Sequence, residues 1–259
     1  MTVDFIYNFM IDLLPGFLSN DFLLILAMLL PFFALFGFIT VYGFGVIYAE
    51  LKVSSFIQDK TGPMGQGYGF HAGKWGFLQP VADGLHLFFK EDIIPATADR
   101  PLFILAPFLI FIGMFVGIIA IPFGEAIIIS DMNIGIFYIL GVGSLAVIAL
   151  ILAGWSSNNK WALYGGMRSA AQIISYEIPA GLSLIVVILL ASSLSMQEII
   201  SYQAGGMFNW IIFDNPFMPI AFIIFFISAL AETNRTPFDL PESESELVAG
   251  FVTEYSGAR

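Results

Sequence analysis

Carboxylates are crowded into one short stretch of this sequence, AETNRTPFDLPESESELVAGF at residues 231–251. Its charged residues are Glu232, Arg235, Asp239, Glu242, Glu244 and Glu246. Carboxylates that lie close together in partly desolvated surroundings raise one another's pKa and titrate as a group. Such a group takes up or releases protons when a nearby charge changes, so the stretch predicts a site of proton exchange.

The backbone conformation of the last three acids is left open by the sequence. Pro237 and Pro241 interrupt any helix before them. In a helix, Glu242 and Glu246 would share one face and Glu244 would point away, whereas in an extended segment all three would share one face. A solvated acidic loop is the plain alternative, but the Leu, Val and Phe side chains interleaved with the acids favour burial.

Two further acids are placed unusually. Glu177 lies inside an apolar run, two residues before Pro179, and Glu50 closes the first apolar run. An ionisable group in a membrane helix is costly unless it faces protein or water. Glu177 is therefore predicted to be functional, with a neutral, hydrogen-bonded glutamic acid in the helix bundle as the alternative.

The elements that must position these acids are predicted to be membrane helices. The chain is 58% hydrophobic, with a mean hydropathy of +0.89. Uncharged runs cover residues 22–49, 101–124, 132–159 and 215–231. A fifth run, 169–197, has a single charged residue, Glu177. A helix that crosses a bilayer needs about 20 apolar residues. We predict an all-α, polytopic bundle of about five transmembrane helices, forming a single membrane domain over residues 1–259.

The basic residues indicate the orientation of this bundle. All nine Lys and Arg residues follow the first, third or fifth predicted helix. The positive-inside rule then places these loops and the acidic stretch in the cytoplasm and the N-terminus outside. The first twenty residues contain no Lys or Arg, so no secretory signal is predicted.

Residues 78–91, LQPVADGLHLFFKE, carry apolar side chains at helical spacing. The segment is too short to span a membrane and predicts an amphipathic helix at the inner membrane face. A surface helix packed on the protein fits the same spacing.

Composition excludes several kinds of site. The chain has no cysteine and only two histidines, which excludes disulfides, cysteine-ligated iron–sulfur clusters and a self-contained histidine metal site. Its net charge of −11 is unsuited to nucleic acid. Any redox cofactor is expected in partner proteins.

Three motifs together resemble one family. They are the acidic stretch followed by TEYSG at 253–257, QPVADG with KEDIIP at 79–95, and AAQIISYE at 170–177. They are similar to the signatures of the quinone-site membrane subunit (the H subunit) of proton-translocating NADH:quinone oxidoreductase, respiratory complex I. The resemblance extends from about Phe38 to the last residue.

The resemblance implies that quinone is the substrate and that NADH, FMN and iron–sulfur clusters are bound by partner subunits. The expected partners are the peripheral-arm quinone-site subunits, small membrane subunits and the lipid bilayer, and the expected location is the bacterial inner membrane. It assigns to the quinone tunnel Lys60, Asp83, Glu232, Arg235 and Asp239. It assigns to the proton path Glu50, Glu177, Glu242, Glu244, Glu246 and Glu254.

The chain also departs from the family pattern. Leu51, Lys60 and His86 replace residues usual in the family, and the glycine-rich stretch 65–76 is longer than expected. The family usually carries about three further C-terminal transmembrane helices, so the resemblance implies a split gene, a truncated chain or a fragment. The alternative interpretation is the homologous subunit of a membrane-bound hydrogenase-type complex.

Overall fold

The computed structural model describes residues 6–8, 11, 20–60, 62–63, 76–124, 128–239 and 248–257. All regular secondary structure within these residues is helical. The prediction of an all-α chain is therefore confirmed. The helices with described bounds are α1 (Asn20–Ile57), α2 (Gln79–Phe89), α3 (Arg100–Ile118), α4 (Gly135–Gly143), α5 (Leu145–Ser156), α6 (Lys160–Ala191), α7 (Met196–Tyr202), α8 (Ile211–Asp214) and α9 (Met218–Glu232). Single 3₁₀ turns lie at Met207–Asn209 and Gly250–Val252.

Four segments in the described residues are long and apolar enough to cross a membrane: α1, α3, α4 with α5, and α6. The fifth predicted span corresponds to α9, which has 15 residues. Most side chains of the four longer segments are not buried within the chain. Their apolar surfaces are therefore free to face lipid or neighbouring proteins.

Helix α1 continues beyond the boundary that the sequence predicted at Glu50. It ends at Ile57, so Glu50 lies inside the helix rather than at its end. Residues 51–57 contain no glycine or proline to stop it. The helix ends where Asp59 takes the left-handed conformation at φ 54° and Lys60 N donates to Ser55 O at 2.8 Å.

The third predicted span is divided at Ser144. Its hydroxyl donates to Leu140 O at 3.1 Å and to Gly141 O at 3.2 Å. A serine hydroxyl that bonds back to the preceding turn competes with the helical backbone hydrogen bonds. The break between α4 and α5 is local, because Ser144 keeps helical dihedral angles and its N still donates to Leu140 O at 3.3 Å.

The amphipathic segment forms α2, as the apolar spacing predicted. Gln79 Nε2 donates to Asp83 Oδ1 at 2.8 Å along its polar side. Phe88 and Phe89 remain 77% and 85% exposed at its C-terminal end. Large exposed aromatic side chains fit a helix whose apolar side meets a membrane or a neighbouring protein.

The chain divides into two compact units, residues 3–93 with 256–259, and residues 94–255 with 1–2. In the first unit, α1 packs with α2. In the second unit, α6 is the central element and contacts α5, α9 and the turn at Gly250–Val252. The expectation of a single membrane domain stays a prediction.

Glycines allow α5 and α6 to approach closely. A Cβ atom on Gly166 would lie 2.9 Å from Leu150 O, and one on Gly154 would lie 2.7 Å from Ala162 O. Small residues at facing positions are the usual way in which membrane helices pack backbone against backbone. Helix α6 is thereby fixed in the middle of its unit, where it carries Glu177.

Candidate functional site

Helix α6 begins at a defined cap and runs through a proline. Asn159 is the N-cap, and its Oδ1 accepts a hydrogen bond from Trp161 N at 2.9 Å. The helix continues past Pro179 to Ala191 and ends where Ser192 adopts φ 53°. Glu177 lies within this helix and is partly buried.

Buried positions recur along α6 at Ala162, Gly165, Ser169 and Gln172. This spacing of three or four residues marks one face of the helix. Gln172 is 9% exposed on that face. A glutamine there must find hydrogen-bond partners, because burying an unpaired amide is costly.

The partners of Gln172 lie in the last turn of α9 and in the turn that follows it. Its Nε2 donates to Ala231 O at 2.8 Å and to Phe238 O at 2.8 Å. The same atom lies 3.2 Å from Asn234 Oδ1. One side chain thus holds both the first and the last residue of the segment Ala231–Phe238, which we call the acidic turn.

The acidic turn has a defined backbone. Asn234 takes the left-handed conformation at φ 50°, the Thr236–Pro237 peptide bond is cis, and Phe238 N donates to Arg235 O at 2.7 Å. The ring of Phe238 packs edge-on against Tyr176, with centroids 5.2 Å apart at 66°. Gln172 and Tyr176 are four residues apart on α6 and so lie on the same face of the helix. Both contact Phe238 at the end of the turn, one through a hydrogen bond and the other through ring packing.

Glu232, the last residue of α9, follows the apolar run 219–230. It is an exposed residue, yet its carboxyl is partly shielded from water. This shielding raises the pKa of Glu232 above its ordinary value of 4.5, and the carboxylate of Glu177 raises it further. The two acids, 55 positions apart in sequence, therefore interact electrostatically.

The segment after the acidic stretch is also anchored on α6. Glu254 Oε1 accepts a hydrogen bond from Asn159 Nδ2 at 2.6 Å. A Cβ atom on Gly165 would lie 2.5 Å from Gly250 Cα, so the 3₁₀ turn rests directly on the helix backbone. Together these contacts fix the residues from Gly250 to Glu254 beside the first turns of α6.

Tyr255 joins the same segment to α3. Its ring stacks on Phe103, with centroids 4.1 Å apart at 3°, and its hydroxyl donates to Phe103 O at 3.2 Å. Phe103 is fully buried. The tyrosine in the TEYSG motif is thus a packing residue in this structure.

The site residues that the sequence singled out are distributed over both units. Residues 94–255 contain Glu177, Glu232, Arg235, Asp239 and Glu254. The contacts above bring Glu232 and Arg235 into one turn on α6, the helix of Glu177, and put Glu254 at its N-terminus. Arg235 and Asp239 are exposed. Glu242, Glu244 and Glu246 lie outside the described residues.

The remaining three candidates belong to residues 3–93. Asp83 accepts the hydrogen bond from Gln79 on α2, and Lys60 Nζ donates to Gln58 Oε1 at 2.8 Å just after α1. Glu50 is exposed on α1. Within this unit the three residues occupy separate elements.

An apolar cavity of about 340 Å³ lies farther along α6, between that helix, α8 and α9. Its lining includes Leu184, Val187, Trp210, Phe213 and Phe222. None of the predicted site residues that the structure describes lines it. A separate polar cavity of about 260 Å³ is lined by Glu254 together with Asn159 and Lys160 at the start of α6.

The potential metal ligands are dispersed. In the part of the chain that the structure describes, no group of three or more His, Cys, Asp or Glu side chains is arranged to hold a metal ion. The expectation that cofactors reside in partner proteins stays a prediction.

Sequence reasoning missed Gln172 and Asn159. Gln172 is part of the motif AAQIISYE, and Asn159 directly precedes the first residue of α6. A buried amide in an apolar run is a usable signal, because it must be hydrogen-bonded. The partners of Gln172 are mainly backbone carbonyl oxygens about 60 positions away, which have no signature in the sequence.

Comparison with known proteins gives one consistent result. Residues 28–259 match the NADH dehydrogenase family. The H subunit of NADH-quinone oxidoreductase from Chlorobaculum tepidum is 49% identical over 254 residues, covering 96% of this chain and 68% of the relative. The corresponding protein of Anaeromyxobacter dehalogenans is 52% identical over 213 residues, covering 82% of this chain and 50% of the relative. The H subunit of a Geobacillus species is 51% identical over 227 residues, covering 88% of this chain and 64% of the relative. The chain thus spans between half and about two thirds of the length of these relatives.

Proposed function

Because this chain belongs to the NADH dehydrogenase family, we propose that it acts as the membrane subunit of an NADH:quinone oxidoreductase. In this role it forms part of the path by which quinone reaches its reduction site. It also begins the path of carboxylates that couples quinone reduction to proton translocation. The redox cofactors NADH, FMN and iron–sulfur clusters belong to partner subunits, and quinone is the substrate.

One observation supports the coupling role most directly. The acidic turn, which carries Glu232 and Arg235, is held on the same helix that carries Glu177. Glu177 also acts on the protonation of Glu232. The charge of an acid in α6 therefore influences the protonation of an acid in the turn.

The proposed mechanism follows from electrostatics. Reduction of quinone creates negative charge and draws protons, so carboxyls near it become harder to ionise. The acidic stretch responds by changing its protonation, and Glu177 carries that change toward the membrane arm. One unit charge moved across 100 mV requires about 2.3 kcal/mol. One unit of pKa shift is about 1.36 kcal/mol, so modest shifts at several acids match the energy needed.

We assign roles to the candidate residues on this basis. The quinone path comprises Lys60, Asp83, Glu232, Arg235 and Asp239. The proton path comprises Glu50, Glu177, Glu242, Glu244, Glu246 and Glu254. The acidic stretch and the basic loops face the cytoplasm of a bacterial cell, the N-terminus lies outside, and the peripheral-arm and small membrane subunits are the partners.

The test uses membranes from cells with and without the gene, complemented by the complete reading frame. We expect NADH oxidation that is sensitive to quinone analogues to disappear on deletion and to return on complementation. Unchanged activity after deletion would refute the proposed function. Co-purification with hydrogenase-type subunits in place of NADH-oxidising ones would refute it as well.

A substitution separates the proton role from assembly. Glu242→Gln keeps the shape of the side chain but cannot ionise. We expect the complex to assemble while quinone reduction and proton translocation both decrease. Full activity of this variant would remove Glu242 from the proton path.

A further inference from the structure

We propose that Gln172 is a positioning residue for the coupling step, because its side-chain amide fixes the acidic turn on helix α6 in register with Glu177. This inference rests on the proposed function of the chain. It adds a neutral residue, with no proton to exchange, to a site otherwise described by its charges.

The side chain of Gln172 acts as a clamp, because one buried amide bonds to two separate backbone carbonyls. Its amide nitrogen donates to Ala231 O and Phe238 O, both at 2.8 Å. These carbonyls lie at the start and the end of the acidic turn, seven residues apart in sequence. An amide NH₂ has two donor hydrogens, and each of these carbonyls can receive one. Loss of the donor therefore removes both of these hydrogen bonds between α6 and the turn at once.

Burial makes this clamp hard to replace. Gln172 is 9% exposed, and Ala231 is fully buried. Ala231 O also accepts from Asn234 N at 3.2 Å, so without the Gln172 amide it keeps a partner inside the turn but loses its bond to α6. Phe238 O loses its bond to α6 at the same time.

The position of Gln172 relates the turn to Glu177. The two residues are five positions apart on one helix, about 7.5 Å along its axis. Tyr176, adjacent to Glu177, packs against the Phe238 ring at the other end of the clamp. Displacement of the turn therefore changes the distance from Glu232 to Glu177, on which their electrostatic interaction depends.

Two substitutions of Gln172 distinguish positioning from bulk packing. Gln172→Glu has nearly the same shape but, when ionised, no donor, and its charge faces carbonyl oxygens. When protonated it regains one O–H donor. Gln172→Met fills similar space and has no donor at any pH. Ser175→Ala is the control, since Ser175 is exposed and its hydroxyl donates back to Ala171 O on the same helix.

The assay is NADH:quinone oxidoreductase turnover in membranes that contain the whole complex, measured against pH. Each turnover rate is divided by the rate of NADH oxidation with a water-soluble acceptor in the same membranes, which corrects for the amount of assembled complex. The result is then expressed relative to the wild-type value at the same pH. We expect Gln172→Glu to lose about ten-fold in kcat at the alkaline end, where the ionised side chain makes neither of the two hydrogen bonds. Its relative activity should recover as the pH falls. Gln172→Met should stay low throughout, and Ser175→Ala should follow the wild type.

The outcomes decide the inference separately from the proposed function. Wild-type turnover of Gln172→Glu across the pH range would overturn it, and so would an equal loss at every pH. Failure of both Gln172 variants to assemble would overturn it too, because Gln172 would then be required to build the chain rather than to position the turn. The deletion strain tests the proposed function independently: activity lost there but unchanged in Gln172→Glu would refute only the positioning role.

Discussion

Asn159 and Glu254 are joined by a hydrogen bond of 2.6 Å from Asn159 Nδ2 to Glu254 Oε1. Asn159 is also the N-cap of α6, where its Oδ1 accepts from Trp161 N. A single asparagine therefore binds the first turn of the helix with its oxygen and the C-terminal segment with its nitrogen. The carboxylate of Glu254 lies beside a helix N-terminus, where the helix dipole stabilises negative charge.

This contact separates two roles of Glu254. Glu254→Gln keeps an oxygen that can accept from Asn159, but it cannot exchange a proton. We expect normal assembly with reduced proton translocation per NADH oxidised. Glu254→Ala should in addition lower the free energy of unfolding by about 1 kcal/mol, the contribution of one hydrogen bond. Proton uptake in sealed vesicles and thermal unfolding of the purified complex measure the two effects. Full translocation by Glu254→Gln would leave Glu254 with a structural role alone.

The close approach of Gly165 to Gly250 predicts a large effect of a single methyl group. In Gly165→Ala the new Cβ would meet the Gly250 backbone at 2.5 Å, so the C-terminal turn must move away from α6. We expect a destabilisation of about 1–3 kcal/mol. Gly181→Ala on the same helix is the matched control, because nothing lies within 4 Å of its Cβ position. It should be neutral or slightly stabilising. Equal melting temperatures for the two variants would contradict this close packing.

The interaction of Glu177 with Glu232 predicts a change in titration. Glu177→Gln removes the neighbouring negative charge, so the pKa of Glu232 should fall toward its ordinary value while the part due to burial remains. The carboxyl band of Glu232 in infrared difference spectra, identified by its absence in Glu232→Gln, reports this pKa. An identical titration of Glu232 with and without Glu177 would show that the two acids are independent.

The same shift fixes how stability depends on pH. A carboxyl whose pKa is raised by folding holds its proton more tightly in the folded chain, so its ionisation costs folding free energy. That cost is absent below the ordinary pKa of 4.5 and is complete once the pH exceeds the raised value. Glu232→Gln should therefore stabilise the protein at neutral and alkaline pH and have little effect at acidic pH. The check is thermal unfolding of the wild type and of Glu232→Gln across the pH range. A variant that is less stable than the wild type at neutral pH would contradict this prediction.

Tyr255 offers a test of the contact with α3. Tyr255→Phe keeps the stacked ring on Phe103 but loses the hydroxyl that donates to the Phe103 carbonyl, for an expected loss of about 1 kcal/mol. Tyr255→Leu also loses the ring pair, worth about 0.5–1.5 kcal/mol more. Tyr164→Phe, at an exposed tyrosine of α6, should change stability by less than about 0.5 kcal/mol. A melting temperature of Tyr255→Leu equal to that of the wild type would contradict this contact.

The sequence predicted the helices well where local signals exist. The uncharged run that begins at residue 101 predicted α3, and the apolar spacing of residues 78–91 predicted α2. The predicted end of α1 at Glu50 was wrong. The change from apolar to charged residues there indicates the edge of the lipid-facing part of the helix, and the helix itself continues to Ile57. The hydrogen-bonding pattern continues until Asp59 adopts a left-handed conformation. The division at Ser144 was not predicted, since a serine hydroxyl can bond to the preceding turn with or without breaking a helix.

The site was only partly accessible from the sequence. Charge and apolar context identified Glu177 and Glu232, because ionisable groups are rare in such surroundings. The role of Gln172 depends on carbonyl groups that every residue possesses, so nothing in the sequence marks its partners. The same holds for the contact between Gly165 and Gly250, where both glycines are visible but their proximity is set by tertiary packing.

The length of α1 has a consequence for Glu50. Its 38 residues make a helix of about 57 Å, against a hydrocarbon core of about 30 Å. Even a tilt of about 40°, at the upper end for membrane helices, leaves a vertical reach of about 44 Å. Helix α1, which contains Pro31, is therefore longer than the hydrocarbon core is thick. The height of Glu50 relative to the lipid surface then depends on how far α1 slides along the membrane normal or tilts away from it.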